Sequence, residues 1–355
     1  MAFLDENGLA ELWSIISEWG ATDATKTMYG LNEDATPNTI FQKLAMPYGY
    51  YGFNITLVTE DGTPLPNVTF NGVEDFEGNT PVTDENGHYG LAVSESGTPT
   101  LTISDHIGIV NYETTLDSDP SHVFTPITIV VPVDTAPRRI DSSSTKKIFV
   151  PDGYVVDLCC VGGGGGGGQG FSGYGGAGGG GGYCTNLLSV DSIKTGEITF
   201  AIAGGGAGAS GTFTFGGEYG GTGGTTSVKY NDETLLTATG GSGGQTVESN
   251  GIKFKGGGAG NGDGGSTKGN GTTGANGGSG TVYLFEDTTL GLAGGGGGGG
   301  SSGASGGAPY GGNASGHSSG FSGGKGPGGG GGGNKEGHGA GGAAGAVYVR
   351  VRVPS

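Results

Sequence analysis

The sequence lacks a long apolar run. No stretch approaches the roughly 18 residues that would indicate a membrane-spanning helix, so no membrane insertion is expected. The opening residues, MAFLDE, lack the basic start and apolar region of a secretory signal, and we expect assembly in a cytoplasm. Basic residues are also scarce, with 15 Lys and Arg against 33 Asp and Glu. This balance, without a basic stripe, argues against a nucleic-acid partner.

Cysteine and histidine are too few and too scattered to indicate a metal centre. The three cysteines, Cys159, Cys160 and Cys184, cannot form an even set of disulfides and match no zinc-binding pattern. We expect buried free thiols on strands, and no cofactor. No Ser/His/Asp grouping stands out, and paired carboxylates such as Asp117 and Asp119 are interpreted as solvated loop charges. The sequence therefore predicts a protein that is not an enzyme.

Glycine is the residue present in excess. Of 88 glycines, 76 lie after residue 140, in runs such as 162–168, 294–300 and 328–333. Glycine offers no side chain to pack and loses the most backbone entropy on ordering, so this part is either disordered or paired backbone to backbone. Alternating apolar segments enclose the glycine on both sides, at 155–161 and 346–353. A disordered linker needs no such strands, and the pattern therefore favours an ordered domain.

Ordered polyglycine has a known geometry. The polyproline II conformation has three residues per turn and about 3.1 Å of rise per residue, so a seven-residue tract would run about 22 Å. Such helices can lie side by side and pair N–H with C=O, which satisfies buried backbone groups. The tracts have no strict Gly-X-Y period and little proline, and this excludes collagen. The sequence predicts a domain of β-strands and polyglycine II helices.

The first 48 residues carry helical patterns. An apolar stripe with helical spacing runs through residues 7–19 and comprises Leu9, Leu12, Trp13, Ile16 and Trp19. A second helix is indicated where Thr36 precedes Pro37. Two short helices cannot bury two tryptophans alone. We expect them to pack against other copies, a neighbouring protein or the following domain.

Residues 50–135 are typical of an all-β domain. Apolar residues alternate with polar ones in six or seven short segments, and turn signals such as Asp61-Gly62 separate them. The predicted fold class is mainly β, with short N-terminal helices, a β-sandwich and the glycine-rich domain. The predicted boundaries are 1–48 for the helices, 49–135 for the sandwich, 136–145 for a linker and 146–355 for the glycine-rich domain.

Two segments of the sandwich resemble a known family. The residues DGTPLPNVTF at 61–70 and TDENGHYGL at 83–91 resemble the carboxypeptidase-regulatory-like, prealbumin-type β-sandwich. The resemblance covers about 80 residues and implies a fold in which Tyr89 and Leu91 face the core. Such modules mostly act as spacers or presenters, so the resemblance implies little about function.

The glycine-rich part resembles the glycine-rich domains of bacteriophage tail proteins. The order of FVPDG at 149–153, IAGGG at 202–206, GGTTSV at 223–228, LTATGG at 236–241 and GAVYVR at 345–350 is similar to theirs. A similar domain occurs in certain animal receptor kinases. The opening residues FLDENGLAELW at 3–13 look like those of virion and tail-fibre proteins. The resemblance implies a virion location, N-terminal helices that anchor the chain to other virion proteins, and a glycine-rich domain that faces the host.

Candidate receptor-binding residues are the side chains that interrupt the glycine. Aromatic faces among small polar residues suit sugar rings or protein loops. For the two phenylalanines at 213 and 215, packing inside the domain is the favoured interpretation. The residues expected to contact a host glycan or protein are Phe171, Tyr174, Tyr219, Tyr310, His317 and Phe321.

These observations predict a phage tail-fibre adhesin, displayed as a homo-oligomer for which a trimer is a guess from fibre habit. The alternative is a structural head fibre or capsid decoration protein without a specific receptor. A cell-bound bacterial adhesin is disfavoured, because neither an export signal nor a cell-wall anchor is evident.

Overall fold

The structure is a computed structural model. It describes residues 51–69, 80, 82–93, 100–115, 127–170, 176, 178–185, 187–210, 219–244, 281–285, 288–292, 305–306, 312, 323–334 and 337–354. The predicted helices of residues 1–48 lie outside these residues. The regular structure described is strand throughout, which confirms the mainly β fold class. The described part also contains no helix long and apolar enough to cross a membrane.

The chain divides into two compact units. The first comprises residues 1–134 and 147–152, and the second comprises residues 135–146 and 153–355. The strands are β1 (Tyr51–Val58), β2 (His88–Val93), β3 (Thr100–Ile103), β4 (His106–Ile107), β5 (Tyr112–Thr115), β6 (Ile127–Val130), β7 (Arg138–Ile140), β8 (Ser144–Phe149), β9 (Val155–Val161), β10 (Leu188–Val190), β11 (Thr195–Ala201), β12 (Thr226–Tyr230), β13 (Glu233–Ala238), β14 (Thr281–Phe285), β15 (Thr288–Leu292) and β16 (Ala346–Arg352).

The first unit has a side-chain core between two small sheets. Strand β1 pairs antiparallel with β2 and parallel with β6, while β3 pairs antiparallel with β5. Alternate residues of these strands face inward, because side chains on a strand point to opposite faces in turn. Fully burying each such side chain contributes about 1.5–3 kcal/mol. The core residues are Ile55, Leu57, Leu65, Val68, Leu101, Ile103, Ile109, Ile129, Val131 and Phe149.

The turn before β2 forms as its sequence predicts. The Asp84 carboxylate accepts the N–H groups of Asn86 and His88, both at 2.8 Å. Gly87 follows at φ +72°, a left-handed conformation that favours glycine. A Cβ at Gly87 would also lie 2.4 Å from the Leu57 carbonyl oxygen. The turn therefore requires both the capping carboxylate and the glycine.

The second unit contains sheets beside its glycine tracts. One sheet has the order β10-β9-β16-β7, and β16 pairs antiparallel with both β9 and β7. Strands β13, β12 and β11 follow each other as antiparallel neighbours, with β8 beyond β11. Strands β14 and β15 form a separate hairpin.

The segment predicted as a linker, 136–145, differs from that expectation. It contains β7, which pairs with β16 in the register Arg139 opposite Tyr348. It also contains the first residues of β8. Three residues are too few to show a periodic pattern, and the strand forms because a longer strand offers it a free edge. This segment is therefore part of a sheet.

Candidate functional site

A tract of seven glycines, residues 162–168, lies at the centre of the second unit. It continues directly from β9, which ends at Val161. Its N–H groups donate in rotation to three antiparallel neighbours, and the partner repeats every third residue. The bonds run from Gly162 to Tyr183 (2.9 Å), Gly165 to Gly180 (2.9 Å), Gly163 to Gly224 (3.0 Å), Gly166 to Gly221 (2.8 Å), Gly164 to Ala343 (2.8 Å) and Gly167 to Ala340 (2.7 Å).

The carbonyl oxygens of the same tract accept from three other neighbours, which run parallel to it. The bonds are from Gly241 to Gly163 (2.9 Å), Gly244 to Gly166 (2.8 Å), Gly206 to Gly164 (2.8 Å), Ala209 to Gly167 (3.0 Å) and Gly331 to Gly165 (2.9 Å). A partner that recurs at every third residue is the repeat of the polyproline II helix. The central tract thus directs its donors to three tracts and its acceptors to three more.

The six neighbours also bond to each other and close a ring. In order around the centre they are 178–183, 328–334, 340–345, 203–209, 219–224 and 239–244. One bond at each contact, in the same order, is Gly179 to Gly331 (2.8 Å), Ala343 to Gly329 (2.8 Å), Gly342 to Gly206 (2.9 Å), Gly221 to Ala207 (2.7 Å), Gly223 to Gly241 (2.9 Å) and Gly180 to Ser242 (2.9 Å). We call these seven tracts the polyglycine bundle.

The bundle leaves no room for side chains at its centre. A Cβ on any of residues 162–167 would lie within 1.9–2.2 Å of a backbone carbonyl oxygen, far inside any real contact. In the ring tracts, the buried positions hold glycine or alanine, except for Asn334 at the end of its tract. In the tract 203–209, residues 203, 206 and 209 are buried while Ala207 is exposed. Glycine is therefore required by packing, and the ring tracts must carry a small residue at every third position.

The glycine-rich part of the chain shows which family the chain belongs to. The sequence model of the glycine-rich domain family matches residues 141–352. The chain belongs to the glycine-rich domain family. The polyglycine bundle and strands β9, β10 and β16 lie within the matched residues of this glycine-rich domain.

Other comparisons add a distant likeness. A solved structure titled "Structure of the Streptococcal ancillary pilin" is 12% identical, with a TM-score of 0.19 over 56% of this chain and 62% of that chain. A TM-score this low supports no argument about function. A search of curated proteins found no match.

The glycine-rich domain has one end where chain connections gather. The central tract leads away from β9, so we call the end at Gly168 the far end of the bundle. Tracts that run parallel to the centre finish there, at Ala209, Gly244 and Asn334, and antiparallel tracts begin there. A bridge between Gly170 and Gly337 joins two of the connections. Four chain connections thus leave or enter the bundle at this end.

The described side chains of the far end are of two kinds. Tyr219, at the start of an antiparallel tract, is 57% exposed. Gln169 and Asn334 are buried, at 8% and 1% exposure. Among the described residues, the Asn334 Oδ1 atom is buried without a hydrogen-bond partner. The far end therefore combines an exposed aromatic residue, Tyr219, with two buried polar residues, Gln169 and Asn334.

Of the predicted receptor-binding residues, the structure describes Tyr219 alone. Phe171 and Tyr174 lie outside the described residues, but Gly170 and Gly176, which flank them, are both at the far end. The other residues outside the described part are Tyr310, His317 and Phe321, together with Phe213 and Phe215 and the anchoring set Leu9, Leu12, Trp13, Ile16 and Trp19. Sequence reasoning missed Gln169 and Asn334. The signal that could have found them is that each is a polar residue ending a glycine run.

The thiols of the domain are structural. All three cysteines are free and buried, as the sequence predicts. Burial raises the pKa of Cys159 from 9.0 to about 12, and its Sγ donates to the Thr185 carbonyl oxygen at 3.5 Å. Burial also raises the pKa of Cys160. In the described part of the chain, no group of three or more His, Cys, Asp and Glu could hold a metal ion.

A buried ion pair joins three strands of the β9–β16 sheet. The Asp157 side chain on β9 is 3% exposed, and its Oδ2 accepts from Arg352 Nε on β16 at 2.5 Å. Its Oδ1 accepts from the Ser189 hydroxyl on β10, also at 2.5 Å. Both carboxylate oxygens are thus bonded, as a buried charge requires. The arrangement fixes the strand register and has no exposed nucleophile.

Proposed function

We propose that this protein is a phage tail-fibre adhesin whose glycine-rich domain contacts a glycan or protein of the host surface. The observation that supports this most is the gathering of four chain connections, with the exposed Tyr219, at the far end of a closed backbone bundle. Connections are the parts of a fold that carry binding residues, since a rigid scaffold positions them while their sequence varies.

The bundle suits this role because its rigidity does not depend on side chains. The seven tracts are joined by backbone hydrogen bonds, and the buried positions of the ring hold glycine or alanine apart from Asn334. Side chains in the connections can then change without disturbing any packing below them. In our proposal, Phe171 and Tyr174 contribute to the same surface as Tyr219.

The proposal extends to the rest of the chain. The acidic first unit acts as a spacer, and the N-terminal residues, with Trp13 and Trp19, attach the chain to other virion proteins. The protein acts from the virion, as a homo-oligomer, without enzymatic activity, cofactor or membrane insertion. The alternative predicted from the sequence, a head fibre or decoration protein without a receptor, becomes an outcome of the tests.

The first test measures binding of the purified full chain to host cells. We expect Tyr219→Ala to weaken binding by about 1–3 kcal/mol, the usual loss for an exposed aromatic contact within an interface. The matched control is Val353→Ala, because Val353 is 58% exposed but follows β16, away from the far end. Equal binding by wild type and both variants would contradict the role of Tyr219. No binding by wild type at all would contradict the adhesin.

The second test locates the chain on the particle by cryo-electron microscopy. An adhesin should be attached to the tail through residues 1–48, with the glycine-rich domain outermost. Attachment of these residues to the capsid shell would identify the head fibre instead.

A further inference from the structure

The far end of the bundle also holds an exposed histidine, which is not among the predicted receptor-binding residues. His338 stands just before the ring tract 340–345 and is exposed. The residue before it, Gly337, has a φ of +111° and forms a backbone bridge. The residue after it, Gly339, donates its N–H to the Ala209 carbonyl oxygen at 2.9 Å. The backbone is therefore held on both sides of His338.

The pairing of the ring tracts brings His338 level with Ser210. The bond from Gly339 reaches Ala209, which is the last residue of the tract 203–209. The two paired tracts are antiparallel, so the residue before Gly339 lies opposite the residue after Ala209. These two residues are His338 and Ser210, and the serine is also exposed.

The tract on the other side brings Tyr219 to the same place. Gly221 donates to the Ala207 carbonyl oxygen at 2.7 Å, and these tracts are antiparallel too. Two residues further along, Tyr219 is therefore level with Ala209 and next to Ser210. The three exposed side chains of this part of the far end come from three adjacent tracts, and we call them the far-end group. They are Ser210, Tyr219 and His338.

The far-end group has the dimensions of a small ligand site. Extended backbones joined by N–H···O bonds lie about 5 Å apart, so the backbones at Tyr219 and His338 are roughly 10 Å apart or less. One or two sugar rings can span this distance. A stable protein partner needs about 800 Å² on each side, which is far more than three side chains supply.

The chemistry of the group suits a saccharide without charge. The aromatic ring of Tyr219 offers an apolar face for the C–H groups of a sugar ring. The Ser210 hydroxyl and a neutral imidazole at His338 can each donate and accept a hydrogen bond, as every sugar hydroxyl can. None of the three side chains is a carboxylate that would repel or a lysine or arginine that would attract an acidic sugar. The net charge of −18 disfavours an anionic ligand as well.

We propose that the far-end group binds a neutral saccharide of the host surface. The sugar ring stacks on Tyr219, and its hydroxyls bond to Ser210 and His338. This inference rests on the proposed adhesin function and narrows its ligand from a glycan or protein to a neutral saccharide. A protein receptor is then an outcome of the test.

The experiment measures binding of the full chain to host cells that have been treated with periodate or with protease. Periodate cleaves the vicinal diols of sugars, so we expect it to abolish binding, whereas protease should leave binding intact. Binding to untreated cells should also change by less than about twofold between about 0.05 M and about 0.5 M salt, because a neutral ligand has no charge to be screened.

Variants of the far-end group test the assignment of residues. His338→Ala and Ser210→Ala should each weaken binding about three- to tenfold, the size of one lost hydrogen bond. His338→Gln should recover most of the loss, since its amide also donates and accepts. The matched controls are His88→Ala and Ser142→Ala, because both residues are exposed and lie outside the far end. They should bind like wild type, and hydrogen exchange should show an unchanged bundle in every variant.

The failures of this proposal and of the adhesin function differ. Binding that survives periodate but is lost after protease would identify a protein receptor and overturn the saccharide, while the adhesin would stand. Loss of binding at high salt, or equal binding by wild type and all variants of the far-end group, would overturn the proposal in the same way. No binding of the wild type to untreated cells would overturn the adhesin and the saccharide together.

Discussion

In the first unit, Leu57 and its neighbours fill a core between two sheets, whereas the centre of the second unit is seven residues without a single Cβ. The first unit is stabilised by removing apolar side chains from water, at about 25 cal/mol per Å². The second unit brings backbones so close that N–H and C=O groups pair in six directions around one tract. One unit therefore depends on side-chain volume and the other on its absence.

The difference teaches what each unit tolerates. A side-chain core accepts changes of similar volume, because neighbouring side chains can repack. The polyglycine bundle has no side chain that could move aside at its centre, since the nearest atoms to any added Cβ are carbonyl groups. Its outward positions, by contrast, are free to vary. A substitution to alanine should therefore destabilise the bundle where it adds volume and the side-chain core where it removes volume.

The largest effect is expected from Gly166→Ala. The added Cβ would lie 1.9 Å from the Ala207 carbonyl oxygen, so the backbone of the ring must shift. We expect the free energy of unfolding to fall by more than about 4 kcal/mol, a change of the size that disrupted packing causes. Hydrogen exchange followed by mass spectrometry should show rapid exchange in the six ring tracts.

The control for this variant is Gly204→Ala in the ring tract 203–209. Gly204 is exposed, and nothing lies within 4 Å of an added Cβ. Stability should change by less than about 0.5 kcal/mol, or rise slightly because alanine restricts the unfolded chain. Equal protection in both variants would mean that the bundle does not pack as described.

A smaller effect, in the other unit, is expected from Leu57→Ala. Leu57 is fully buried, and removing its side chain leaves a cavity that should cost about 2–5 kcal/mol. Faster hydrogen exchange should be confined to the first unit. Val130→Ala is the control, since Val130 on β6 is 46% exposed and its truncation should cost less than about 0.5 kcal/mol. Acceleration of exchange in the polyglycine bundle by Leu57→Ala would show that the two units unfold together.

Strands with an apolar alternation could be located from the sequence. The apolar segment predicted at 155–161 has the bounds of β9, and the one predicted at 346–353 extends one residue beyond β16, because each has a β-type pattern next to glycine residues. Strand β7 was predicted as linker, since its three residues have no period and its pairing depends on a strand more than 200 positions away in sequence.

The arrangement of the glycine tracts could not be predicted. Glycine runs look alike, and nothing in their composition says that 328–334 adjoins 178–183 while 203–209 adjoins 340–345. The order of the tracts depends on the strands that adjoin them, because these strands fix the positions at which the tracts begin or end. The strands are β9, β11, β12, β13 and β16. For the candidate site, Tyr219 was identifiable as an aromatic residue between glycines. Asn334 could be noticed as a polar residue that ends a glycine run, but its burial could not be predicted, because burial there depends on the tracts that surround it.

The smallest effect is expected from a rise in pH. It should lower the stability of the sheet in the second unit and leave that of the side-chain core in the first unit unchanged. Burial raises the pKa of Cys159 from 9.0 to about 12 in the folded protein. The unfolded chain releases this proton first, so stability is fully present below about pH 9 and declines as pH rises toward 12. The control Cys159→Ser should weaken this dependence on pH but not remove it, because burial also raises the pKa of the remaining Cys160. The variant should also be less stable at neutral pH. In the wild type, alkylation of the cysteine thiols at pH 8 should require unfolding. The stability of the first unit, measured by hydrogen exchange, should not decline as the pH rises. Prompt alkylation of the native chain would mean that the sheet beneath the bundle opens far more readily than its burial indicates.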